Sequence, residues 1–177
     1  MSIKNIAPNT LTAVQVGGTG PKNGIGVGTI VEQGDTRYIY AKIIPGTGSV
    51  TGAKQTSVVP YYTSDAHTAG EFTHDLTDCP TNAKTLLGIQ MFSMMTAVTH
   101  YGLVAVRGPV EYLPATTNPL MVDGASLVVS TTDNRLNATA ATTTYGDLHL
   151  RVAILEADND GLTAVSSPIR LLGQGYL

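Results

Sequence analysis

Tyr101-Gly-Leu-Val-Ala-Val-Arg-Gly-Pro109 decides how this chain is read. The run is apolar and β-branched up to Arg107, then meets Gly-Pro. It reads as a short strand entering a sharp turn. An earlier stretch, Gly28-Thr-Ile-Val-Glu-Gln-Gly-Asp-Thr-Arg-Tyr-Ile-Tyr-Ala-Lys42, has the form of a strand, a Gly34-Asp35 turn and a second strand. Neither stretch carries a recognisable reactive set. Two such β units point to a scaffold that works through its shape and surfaces.

Outward from these, the same punctuation repeats. Residues 1–24 are polar, with the backbone breakers Gly17-Gly-Thr-Gly-Pro-Lys-Asn-Gly24, and read as an extended N-terminal arm. Residues 25–177 read as a single β domain. Within it, Lys54–Val59 is a further strand, and residues 60–82 read as a long loop with a short helical turn. Leu86–Met95 is ambiguous by periodicity, and Gly88 with Thr96, Val98 and Thr99 favours strand. After the Gly108-Pro109 turn, Val110–Leu113 forms its own short strand. Asp123-Gly124 turns into Ala125–Ser130, and Asp133-Asn134 turns again before a Thr/Ala-rich stretch to Thr144. Leu148-His-Leu-Arg-Val-Ala-Ile154 alternates, with Leu148, Leu150, Val152 and Ile154 on the inward face and His149, Arg151 and Ala153 outward. Pro168–Leu172 closes the set. About ten short antiparallel strands, spaced by turns and nearly free of helical pattern, predict an all-β barrel or sandwich.

Composition fits that class. Of the 177 residues, 42% are hydrophobic, enough for a core. Charged residues are only 13%, against roughly 25% in an average soluble domain. A sparsely charged surface suits a protein that presents faces to neighbours. Net charge is −3 and no Lys/Arg run exists, so no nucleic-acid partner is expected. Arg107, Arg135, Arg151 and Arg170 are far apart in sequence and read as solvated or singly paired. No segment has the length of a membrane span, so no membrane partner is expected. The lone Cys79 excludes an internal disulfide and fits assembly in a reducing cytosol. The first ten residues lack an apolar signal core, which gives the same expectation.

Candidate chemistry is thin. Glu156-Ala-Asp-Asn-Asp-Gly161 resembles the start of a calcium loop, but its twelfth position is Ser167 rather than Glu, so it reads as a turn. Glu71, His74, Asp75 and Asp78 offer oxygen and imidazole ligands without a closed metal spacing. Cys79 sits among carboxylates that would raise a thiol pKa, so it reads as inert. His67, His100 and His149 are scattered, and there is no Gly-x-Ser-x-Gly elbow. Gly24, Gly26 and Gly28 fit no phosphate-binding motif. Asn137-Ala-Thr139 is a formal glycosylation sequon. Met91, Met94 and Met95 beside Phe92 read as soft core filling or an oligomer contact. Tyr38, Tyr40, Tyr61, Tyr62, Tyr101, Tyr112, Tyr145 and Tyr176 outnumber phenylalanines eight to two, which suits half-buried interfaces and also sugar binding. No catalytic, cofactor-binding or metal-ligating residue is assigned.

Three segments together carry a resemblance: the Gly28-Thr-Ile-Val…Arg37-Tyr-Ile-Tyr-Ala-Lys hairpin, Leu87-Gly-Ile-Gln…Tyr101–Pro109, and Asp123-Gly-Ala-Ser-Leu-Val-Val129. From residue 25 to 156 the chain resembles the decoration, or cement, proteins of tailed-bacteriophage heads. That resemblance implies an all-β virion protein on the outer surface of the head, made in the host cytoplasm, often homotrimeric and without enzyme activity. Its partners would be the major capsid protein and itself. Each copy would bridge capsomers, and many weak contacts would add up. Residues 60–82 and the leading arm depart from the family pattern. A tail or fibre module binding host surface carbohydrate is the alternative.

The absence of an assigned metal site has a direct test. Chelator is expected to leave the melting temperature within about 2 °C, whereas losing a tightly held ion would lower it by several degrees.

Overall fold

The computed structural model describes residues 2–4, 18–21, 24–45, 55–63, 66–75, 88–92, 98–113, 124, 126–130, 135–138, 151–156 and 166–173. Among these there is no helix, and eleven strands form one connected, all-β sheet system. The strands are β1 (Ser2–Lys4), β2 (Ile30–Gln33), β3 (Thr36–Ile44), β4 (Ser57–Thr63), β5 (Ala66–Thr73), β6 (Gly88–Gln90), β7 (His100–Tyr112), β8 (Ser126–Ser130), β9 (Arg135–Ala138), β10 (Arg151–Leu155) and β11 (Ser167–Leu171).

Five strands close a barrel in the order β3, β5, β4, β6, β7 and back to β3. The closing seam is the long antiparallel pairing of β3 with β7, from Arg37 opposite Arg107 to Ile43 opposite His100. So few strands enclose a lumen that only side chains fill. Ile39, Ala41, Ile43, Val58, Phe72, Phe92, Val104 and Val106 fill it and are all buried. A second cluster joins outward-facing Tyr38, Tyr40, Val59, Ile89, Leu103 and Ala105 of the barrel to Leu127, Ala153, Leu155, Ile169 and Leu171. Those last residues lie on β8, β10 and β11, which continue outward from β7 with β9 at the far edge. The alternation of strand side chains therefore feeds two cores, one inside the barrel and one against its wall.

Both long strands change partner along their length. One edge of β3 pairs with β2 over Thr36–Ile39, then with β5 over Lys42–Ile44. At the changeover the backbones of Gly28 and Gly70 nearly touch. A Cβ on Gly70 would fall 2.4 Å from the Gly28 nitrogen, and both residues have positive φ. β7 leaves β3 after Arg107 and pairs with β11 over Gly108–Tyr112. Gly108 has φ 94°, and a Cβ there would lie 2.2 Å from the Asp35 carbonyl oxygen. The Thr36 hydroxyl donates to the Pro109 carbonyl at 2.9 Å and ties the β2–β3 turn to this bend.

Four sequence expectations change. Gly108-Pro109 does not end a strand; it bends one, and Val110–Tyr112 belongs to the same β7. Residues 60–82 are not chiefly a loop, because β4 and β5 pair as a hairpin through them. Pro60 is accommodated there because the register shifts between Pro60 and Tyr62. The inward face of β10 carries Ala153 and Leu155, while Ile154 is only half-buried. A register shift between Arg151 and Ala153 interrupts the period of two on which the opposite expectation rested. Finally, not every pairing is antiparallel: β1 runs parallel to β2, and β3 parallel to β5. Within residues 1–24, Ser2–Lys4 forms β1 and Gly18 bridges to Tyr101, while 1, 5–17, 22 and 23 lie outside the described residues. The turn at Asp133-Asn134 and the stretch from Thr139 to Thr144 also lie outside them.

Gly108→Ala is expected to cost about 3 kcal/mol or more, combining backbone strain with an unavoidable clash. Urea unfolding measures it, and a loss under about 1 kcal/mol would show that the bend yields freely.

Candidate functional site

Three groups of polar side chains stand out, at the two ends of the barrel and on its wall. The first closes one end of the lumen. His74 follows β5, Gln90 ends β6 and His100 opens β7, and all three are buried. The Gln90 amide donates to the Phe92 carbonyl, which turns its oxygen toward His74. His74 Nε2 then donates to Gln90 Oε1 at 2.7 Å. His100 Nδ1 donates to the Val98 carbonyl at 2.8 Å. Burial pushes the His74 pKa below its ordinary value; the hydrogen bond to Gln90 opposes this and the nearby His100 adds to it. Asp75 is buried too, with its backbone N–H donating to Thr73 Oγ1 at 3.1 Å. The His74 ring and the Gln90 amide thus satisfy each other at the end of the core.

The second group lies on the outer wall. Lys42 stands opposite both Glu71 on β5 and Tyr101 on β7. Its ammonium meets Glu71 Oε1 at 2.8 Å. That hydrogen bond raises the lysine pKa, with burial opposing it and the Tyr101 and Tyr61 phenols near enough to contribute. Four neighbouring strands thus present Tyr61, Glu71, Lys42 and Tyr101 as one half-buried row. Tyr101 is further fixed by its backbone, which exchanges hydrogen bonds of 3.0 and 2.7 Å with Gly18.

The third group sits at the opposite end of the barrel. Arg37 Nε and Nη2 donate to Glu32 Oε1 at 3.1 and 2.9 Å. Glu32, Gly34, Asp35, Thr36, Arg37 and Arg107 line a notch of about 280 Å³.

The residues singled out by sequence do not converge on one centre. Glu71 turns outward to Lys42 while His74 turns inward to Gln90, so these two members of the acidic and histidine cluster part company. Asp78, Cys79, His149, Met94, Met95, Tyr145, Tyr176 and residues 157–161 lie outside the described residues, and for His67 only the backbone is described. Glu156 pairs with Arg170 at 2.7 Å. Among the described residues, no three His, Cys, Asp or Glu side chains are placed to hold a metal ion. Gln90, Lys42, Glu32 and Arg37 escaped sequence reasoning because their significance lies in strand register, which no local motif encodes. No protein-family model matches the chain, and no curated protein matches its sequence.

The His74 environment sets a pH dependence. Below the ordinary value of about 6.5 the unfolded chain takes up a proton that folded His74 refuses, so stability falls as pH drops. The fall levels off below the depressed folded value. Comparing urea midpoints at pH 7.5 and 5.0, His74→Gln is expected to lose this share of the dependence; an unchanged difference would contradict the assignment.

Proposed function

We propose that this chain is a capsid decoration protein of a tailed-bacteriophage head. It binds the outer surface of the shell, bridges neighbouring capsomers and works as a homotrimer. The observation that carries this reading is the row of Tyr61, Glu71, Lys42 and Tyr101 on the wall of a barrel whose lumen is filled by its own side chains. A filled barrel leaves its surface for function, and tyrosine beside charge is the composition of a protein contact. The low content of charged residues and the resemblance between residues 25 and 156 support the same reading. The leading segment adds to sheet edges at β2 and at Tyr101, the mode by which extended chains also join a partner's sheet. Major capsid protein and further copies of this chain are the proposed partners, with no enzymatic step.

The same row favours one alternative. Two tyrosines flanking a donor and an acceptor also suit a sugar, so a tail or fibre module for host carbohydrate remains the second reading.

Cryo-electron microscopy of the intact particle separates them. Copies distributed over the head support decoration, and copies confined to the tail support carbohydrate recognition. Removing residues 1–20 is expected to weaken binding to heads roughly tenfold, about 1.4 kcal/mol, while the barrel still unfolds cooperatively. Equal affinity of the shortened chain would count against an arm contact.

A further inference from the structure

We propose that the notch at the Arg37 end of the barrel is a carboxylate site, and that its occupant is an Asp or Glu side chain of the partner on which the protein docks. The identity of that occupant rests on the docking reading above; the site itself does not.

Glu32 on β2 stands directly opposite Arg37 on β3, and Arg37 directly opposite Arg107 on β7. Read across the three strands, the charges run negative, positive, positive. Like charges facing each other across a pair are unfavourable. Glu32 balances Arg37 by accepting from both Nε and Nη2 on one oxygen. Arg107 is exposed and forms no ion pair with a described residue, although Asp35 lines the same notch. An acidic group in the notch would complete the row.

Arg107 is also held in readiness. Gly173 packs so closely on its stem that a Cβ there would fall 2.9 Å from Arg107 Cβ and Cγ and 3.1 Å from Cδ. A packed stem leaves less side-chain freedom to lose when the guanidinium binds. The shift in register between Arg37 and Tyr38 places this pair at an irregular point of the ladder, where side chains are re-aimed.

Size and charge then select the ligand. At about 280 Å³ the notch falls just below the usual range for small-molecule sites and accepts a side-chain terminus. Asp35 and Glu32 on its lining disfavour a doubly charged phosphate, whereas a single carboxylate matches the planar fork of Arg107.

The test is a titration of the full-length, isotope-labelled protein at pH 7 with N-acetylglutamic acid α-amide, followed by NMR. Saturable shifts are expected at the Gly34, Thr36 and Gly108 amides and at Arg107 Nε. Arg107→Met, which keeps an apolar stem for Gly173, is expected to weaken binding at least ~10-fold, the scale of a charge-assisted hydrogen bond. Arg107→Lys should retain part of the affinity, and Asp35→Asn should increase it. Unsaturable shifts, wild-type affinity in Arg107→Met, or inorganic phosphate binding as well as the carboxylate would each overturn the site. Head binding is measured separately: failure of the unaltered protein to bind heads removes the docking reading and leaves the titration to judge the notch.

Discussion

The pairing of β3 with β7 is the constraint on which the rest of the molecule depends. It closes the barrel, and each strand then serves additional neighbours at its remaining positions. Neither strand can exchange partners smoothly, because two chains cannot occupy one edge at the same height. The conflict is resolved at two places where side chains are absent. Gly28 and Gly70 let β2 depart as β5 arrives, and Gly108 lets β7 swing from β3 to β11 over the carbonyl of Asp35. The Thr36 hydroxyl bond to Pro109 secures the second of these. Closure and divergence are thus a single arrangement, with β7 as the member common to barrel and outlying sheet.

That arrangement explains where polar groups end up. The lumen is apolar along its middle, so hydrogen-bonding side chains collect at its ends and on its wall. At one end His74, Gln90 and the Phe92 carbonyl satisfy one another in a chain. Such a buried chain stabilises only when each member is matched, since an unpaired polar atom there costs about 1–3 kcal/mol. On the wall the Lys42–Glu71 pair is partly solvated and contributes little to stability, about 1 kcal/mol at most. Its value lies in fixing two long side chains between Tyr61 and Tyr101. The end near Arg37 differs from both, because two arginines and two carboxylates meet there around one open notch.

Much of the fold could be read locally. The β2–β3 hairpin was legible because Gly34-Asp35 is a turn signal and Tyr38-Ile-Tyr40 is a strand signal. The inner strands near Val104 and Ile169 were legible for similar reasons. The β4–β5 hairpin was hidden by Pro60 in its first strand. Gly108-Pro109 looked like an end because backbone breakers mark both stops and bends, and only the contact with Asp35 tells them apart. On β10 the expected face changes from Ala153 onward, after one irregular residue step, while residues 148–150 lie outside the described residues. Of the polar groups, none was legible as a group. Glu32, Arg37 and Arg107 are neighbours only through pairings with β3, and the last two are separated by most of the barrel's sequence.

The late position of β7 also bears on how the protein is made. During translation β3 through β6 leave the ribosome before the segment that completes their ring, and at about 5–20 residues per second the delay lasts seconds. Throughout it, the edge of β3 and the apolar side chains Ile39, Ala41 and Ile43 await their permanent cover. A nascent chain stopped short of His100 has no way to seal itself, so its solubility in the producing cell depends on how quickly synthesis passes that point or on what shelters the unfinished sheet.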